Sequence, residues 1–196
     1  MNALEDEQQL TLEACRGSVA AFEALVTHYE PRIRRVLYSM TQDVQLAQDL
    51  CQETFLAAYR ALPRMKGEEL RFSPWLYRIA LNQARSEWRR RKHVTLVPFM
   101  SPRGGDDDVF DDPGEDYIVS EDHFEERVMQ QDLVQRILAQ LPVASAMCLL
   151  LDAEGLSYRE IAETLDESLP AIRSRLTRAR KAFQQAYTRL EREGKL

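Results

Sequence analysis

The chain has little glycine, seven residues in 196, and nowhere strings together the roughly 18 apolar residues that a helical membrane span requires. Few glycines among repeated Leu, Ala, Glu, Arg and Gln segments make a mainly helical chain the expectation. The missing apolar run argues against membrane insertion, and the opening MNALEDEQQL is acidic where a secretory signal would be basic and then greasy. Cysteine is scarce and unpaired in pattern. Cys15, Cys51 and Cys148 are odd in number and far apart, which suits bystander thiols in a reducing compartment rather than a disulfide framework. His28, His93 and His123 show no ligand spacing with the cysteines or with each other, so no metal or other cofactor is expected. A nucleophile–base motif is also missing, which argues against an enzyme. What remains is a cytoplasmic, helical, non-catalytic protein.

Cations are missing from one long segment. Gly104 to Glu126 holds eleven acidic residues and no Lys or Arg, so the remainder carries +5 although the whole chain stands at −6. Segregated charge of this kind points to a basic binding part and an acidic spacer. Pro98, Pro102, Gly104, Gly105, Pro113 and Gly114 punctuate the acidic stretch, which has too few apolar residues to fold alone. The expected division is a domain at 1–95, an acidic flexible linker at 96–127 and a second domain at 128–196.

In the first domain Ser18 can cap a helix whose inner face is Ala21, Phe22, Leu25, Val26 and Tyr29, and Pro31 would open a second with Ile33, Val36, Leu37 and Met40 inside. Thr41 or Asp43 starts a third helix that lasts to Leu62, where Pro63 stops it. Its buried face is Ala47, Leu50, Cys51, Thr54, Phe55, Ala58 and Leu62, against Gln45, Asp49, Gln52, Glu53, Leu56 and Arg60 outside. An exposed leucine among polar groups suits a protein contact, or simply a solvated face with one stray apolar residue. After a loop at Arg64–Arg71, Ser73 can cap a fourth helix with Pro74 in its first turn, running to about Lys92. Trp75, Leu76, Ile79, Ala80 and Gln83 share the expected core face, and Tyr77, Leu81, Ala84 and Trp88 line the other side. Between them Arg78, Asn82, Arg85 and Arg89 follow at i, i+4, i+7 and i+11. A cationic stripe bordered by aromatics suits single-stranded nucleic acid, with charge for phosphates and rings for unstacked bases. Taken alone, it reads first as the solvated flank of a core helix, since charge runs usually just face water.

Periodicity returns at Val128, where Met129, Leu133, Val134, Ile137, Leu138 and Leu141 define an amphipathic helix ended by Pro142. A very apolar helix at Ala144–Ala153 is closed by Gly155. Ser157 with Glu160 three residues on forms a capping box for a short helix, Tyr158–Leu165. After a break at Asp166–Ser168, the last helix carries Ile172, Leu176, Ala179, Phe183, Ala186 and Leu190 on its apolar face and Arg173, Arg175, Arg178, Arg180 and Lys181 on the others. Two short helices about a tight break, the second basic, have the form of a helix-turn-helix. Ala162 permits close crossing, Ile172 locks the second helix inward, and Asp166 tolerates left-handed φ at the turn. A helical hairpin with a basic surface would share much of this pattern.

Two blocks now carry a family resemblance. AQDLCQETFLAAYRAL with SPWLYRIALNQARSEWRRRK, followed by EGLSYREIAETLDESLPAIRSRLTRARKAF, resemble the two halves of a bacterial extracytoplasmic-function (ECF) sigma factor of the sigma-70 family. The resemblance implies an all-α fold of two small domains, an N-terminal four-helix unit and a C-terminal helix-turn-helix, and a promoter-recognition subunit of RNA polymerase. It implies that the face with Asp49, Gln52, Glu53 and Leu56 docks on the clamp of core polymerase. Arg78, Asn82, Arg85, Trp88 and Arg89 would meet the melted −10 element, and Arg173, Ser174, Arg175 and Arg178 the −35 element. An anti-sigma factor is a further implied partner. The chain departs from the family pattern at Ser86, Ala146 and Pro170–Ala171, the last of which lacks a hydroxyl able to bond a phosphate. The alternative from the residues themselves is a helix-turn-helix regulator that works without core polymerase.

Overall fold

The computed structural model describes residues 3–92 and 133–192, so the expected linker at 96–127 and Met129 lie outside the described residues. Within them all regular structure is helical, as expected, and no helix there is long and apolar enough to cross a membrane.

The first helix, α1 (Ala3–Cys15), lies where the sequence analysis placed no element. It is held by its docking. Tyr29 donates to a Glu7 carboxylate oxygen at 2.5 Å, and Gln8 donates to the Gly67 carbonyl at 2.8 Å. Gly67 fits closely there, since a Cβ would sit 3.1 Å from Leu12 Cδ2 and 3.3 Å from Cys15 Sγ, and α1 would have to give by a few tenths of an ångström to admit one.

Ser18 caps α2 (Val19–Thr41), accepting from Ala21 N. The expected break at Pro31 does not occur, and one helix continues through it. Proline forfeits the bond to the Thr27 carbonyl, which costs about 3 kcal/mol in an ordinary helix interior. Here Thr27 is exposed, so water can serve that carbonyl, and the buried stripe Ala21, Leu25, Tyr29, Ile33, Val36 and Leu37 runs uninterrupted across the site. Continuous burial outweighs the lost bond. Gln42 ends α2 in the left-handed region (φ 54°), and Asp43 caps α3 (Val44–Ala61), accepting from Leu46 N. A short 3₁₀ turn at Leu62–Arg64 holds Pro63. All seven residues expected on the inner face of α3 are buried.

In α4 (Phe72–Lys92) the helix begins one residue before Ser73, which is buried inside the first turn, and Trp75 N donates to the Arg71 carbonyl. The core face is also rotated from the expected one. Leu76, Tyr77, Ala80, Leu81 and Ala84 are buried, whereas Trp75, Ile79 and Gln83 are only half-buried. Helices pack on both flanks of α4, so two rows that looked opposite in the sequence merge into one broad buried face.

The second half contains α5 (133–140), α6 (Val143–Ala153), α7 (Tyr158–Leu165) and α8 (Leu169–Arg192). On α5, Ile137 and Leu138 are buried but Val134 is exposed, contrary to its expected place inside. The capping box of α7 forms as expected: Glu160 N donates to Ser157 Oγ at 3.3 Å and Ser157 N to a Glu160 oxygen at 2.7 Å. Ser157→Ala should therefore lower stability by about 1 kcal/mol, read as a fall in the thermal unfolding midpoint. Asp166 takes the left-handed turn position (φ 57°), where Glu167 N donates to the Ala162 carbonyl at 3.0 Å. Ser168 then caps α8 through Ala171 N at 3.3 Å.

The two helical units do not have separate cores. Met147, Cys148, Leu151, Leu156, Ile161, Ala162, Ile172 and Leu176 belong to the same apolar cluster as the buried faces of α2, α3 and α4. Smaller clusters, centred on Ile137 with Leu190 and on Leu138 with Ala146, finish the C-terminal unit.

Candidate nucleic-acid interface

On α4 the expected polar stripe is present. Arg78, Asn82 and Arg85 are exposed on one side of the helix, opposite the buried Leu76 and Ala80. The side chains of Trp88 and Arg89 lie outside the described residues. Two of the arginines already have partners on the other half of the chain. Arg78 donates to the Glu163 carbonyl, and Arg85 Nη2 lies 3.8 Å from Met147 Sδ. Arg71, at the mouth of the helix, pairs with Glu160 at 3.4 Å and with Glu163. No sequence pattern signals such pairing, because ion pairs across about ninety residues leave no periodic trace.

On α8 the structure sorts the cations. Arg173, Ser174 and Arg178 are exposed, and Thr177 and Lys181 extend the same face. Arg175 points the other way, paired with Glu167 and 3.9 Å from the buried Cys148 sulfur. Arg180 is also used internally, bonding Asp152 at 2.6 Å and the Tyr158 hydroxyl at 2.9 Å. These two arginines tie the last helix to α6 and α7. Ala162 and Ile172 are buried, and Ile172 is wholly inaccessible, as the expected lock of a helix-turn-helix requires. Three cations therefore remain on the outer face of α8: Arg173, Arg178 and Lys181.

A third surface runs along α3, where Asp49, Gln52, Glu53 and Leu56 are all exposed, as expected. The apolar part is larger than the sequence indicated. Tyr59, one turn beyond Leu56, is 46% exposed and its ring lies 5.1 Å from that of Phe22 on α2. Below this patch Val26, Glu30, Gln48, Cys51, Gln52 and Phe55 line a shallow groove between α2 and α3. The thiols offer no reactive group near neutral pH: burial pushes Cys51 up to about 12 and raises Cys15 and Cys148.

The family profile described as Sigma-70 region 2 matches residues 25–94, which span most of α2 with all of α3 and α4, and that described as Sigma-70, region 4 matches residues 131–183. The RNA polymerase sigma-H factor of Pseudomonas aeruginosa is 35% identical over 96% of this chain and 97% of its own length. The ECF RNA polymerase sigma-E factor of Escherichia coli K12 is 32% identical over 90% and 92%. Among solved structures, CnrH in complex with the cytosolic domain of CnrY superposes with a TM-score of 0.66 at 24% identity, covering 92% of this chain and 96% of that one. The sigma factor RpoE in complex with the anti-sigma factor NepR from Bartonella quintana gives 0.64 at 22%, covering 87% and 98%. At those identities the two structures speak for a shared fold.

Proposed function

The chain belongs to the ECF sigma factors of the sigma-70 family, and from that premise we propose how its exposed faces divide the work of promoter-specific transcription initiation. The observation that carries the division is the separation of two basic faces, on α4 and on the outer side of α8, from an acidic and apolar face on α3. The α3 face, with Asp49, Gln52, Glu53 and Leu56, takes the clamp of core RNA polymerase. The α8 face, with Arg173, Ser174 and Arg178, enters the major groove at the −35 element, where base edges carry a distinct donor and acceptor code. Arg175, also expected at the −35 contact, supports this face through its bond to Glu167.

The stripe Arg78, Asn82 and Arg85 takes the unpaired −10 strand, with Trp88 and Arg89 continuing it along the helix. Holding an extruded base offsets part of the several kcal/mol that strand opening costs. The domains run 1–95 and 128–196, with 96–127 between them as an acidic linker. The protein works in the cytoplasm, performs no catalysis of its own, and has an anti-sigma factor as a further partner. A regulator acting without polymerase would leave the match over residues 25–94 unexplained.

The experiment is permanganate footprinting of promoter melting by core polymerase loaded with the full chain. Asn82→Ala with Arg85→Ala should reduce melting roughly tenfold, two polar contacts of about 0.5–1.5 kcal/mol each being lost. Undiminished melting would remove these two residues from the −10 site.

A further inference from the structure

Helix α1 lies outside residues 25–94, which the region 2 profile matches. Its inner side is nonetheless closely fitted to the domain. Thr11 and Ala14 are buried, and the Thr11 hydroxyl donates to the Glu7 carbonyl at 2.7 Å. Two adjacent polar side chains of α1 then reach toward α4 by separate routes. Gln8 bonds the carbonyl of Gly67, in the loop that leads into α4. Glu7 accepts from the Tyr29 hydroxyl, which Ser73 in the first turn of α4 also bonds. The buried Tyr29 ring has its centroid 5.5 Å from that of Phe72 and 6.4 Å from that of Tyr77. Those two rings are next in sequence to Arg71 and Arg78, the cations at the mouth of the α4 face.

We propose that α1 is a brace for the −10 face: Glu7 and Gln8 are positioning residues that fix the loop and the first two turns of α4, so that the stripe is preset for the unpaired strand. The brace rests on the reading of α4 as the −10 face. A binding face holds its geometry only when the residues behind it are themselves locked. Placement before binding also spares the ordering cost at the moment of capture. Neither Glu7 nor Gln8 belongs to the faces assigned to polymerase or DNA, so both act through α2, the loop and α4. Core binding through α3 and promoter capture through α8 precede strand opening and should not depend on α1. Slow opening at unchanged capture is therefore the signature of the brace.

The test uses holoenzyme reconstituted with the full chain. The time course of permanganate reactivity in the −10 segment, followed at increasing holoenzyme concentration, separates initial promoter binding from the limiting rate of opening. Glu7→Ala with Gln8→Met should lower the limiting rate about tenfold, two hydrogen bonds having been lost, with initial binding and core affinity as in the parent. Glu7→Gln with Gln8→Lys keeps an acceptor for Tyr29 and a donor for Gly67, and should restore most of the rate. Circular dichroism verifies that each chain is folded. Should the double variant unfold, Tyr29→Phe carries the test, since it keeps the ring and removes only the hydroxyl; an opening rate about threefold lower is expected. A parent-like limiting rate in the folded variants would overturn the brace, and so would a loss confined to initial binding or shared in full by the conservative pair. Asn82→Ala with Arg85→Ala, run beside them, keeps the two ideas apart. If that variant opens slowly and the α1 variants open like the parent, the brace falls and the −10 assignment stands. If the α1 variants open slowly and that one does not, the −10 assignment falls and the brace loses the face it was assigned to.

Discussion

Replacing Arg173 and Arg178 together with alanine should cut initiation from a −35-dependent promoter at least about thirtyfold, two lost contacts of about 1–3 kcal/mol each giving that factor or more. The helix itself should survive. Both side chains are exposed, and the apolar face that holds α8 in place runs through the buried Ile172, Leu176 and Ala179. Surface changes away from such features normally stay within about 0.5 kcal/mol of the parent stability, so circular dichroism and the unfolding midpoint should not move. Arg175→Ala is the instructive contrast. Its guanidinium pairs with Glu167 beside the buried Cys148, so its loss strands a carboxylate at the turn and loosens the seat of α8. A lower unfolding midpoint with a smaller defect in initiation is expected there. If Arg175→Ala instead matched the double variant at unchanged stability, the inward assignment would fall. Runoff transcription with reconstituted holoenzyme, on templates with and without a −35 element, checks both.

That contrast also shows where sequence reasoning stops. Counting five cations on α8 locates a basic helix, but it does not tell which arginines are used up by neighbours. Arg175 and Arg180 are consumed by Glu167 and Asp152, residues of the turn and of α6 whose reach depends on how the helices cross. Local signals served well by comparison. The capping box at Ser157, the left-handed Asp166 and the inward Ile172 all formed as read, because each is decided within a few residues of chain. Pro31 misled for the opposite reason: proline's local preference is a real cost, yet a buried stripe that continues on both sides of it overrode it. The rotated core face of α4 has the same origin. Periodicity gives the angle of a stripe, and only the neighbouring helices decide how wide it must be. Least visible of all was the covering of α4 by α7, a contact between groups about ninety residues apart.

Leu56→Asp should abolish stable association with core polymerase while leaving the isolated protein folded. Leu56 is 47% exposed and lies opposite the fully buried Ala58 row of α3, so no internal packing is lost. At an interface the arithmetic reverses. Burying a leucine side chain contributes about 1.5–3 kcal/mol, and a carboxylate left unpaired in the same place costs a further 2–5 kcal/mol or so. Asp49 and Glu53 are both exposed on the same helix, so the added charge also meets its own sign. A loss of roughly a thousandfold in affinity follows, enough to prevent co-purification. Leu56→Met should be nearly silent, because it keeps volume and polarity. Tyr59 widens the test beyond one residue. Its ring packs at a tilt against that of Phe22 on α2, so Tyr59→Ala removes apolar area from the same patch without adding charge. If Leu56→Asp bound core polymerase as the parent does while Tyr59→Ala did not, the docking surface would centre on the aromatic pair of α2 and α3 rather than on the acidic face. Binding of labelled core polymerase to each variant by fluorescence anisotropy decides between the two positions.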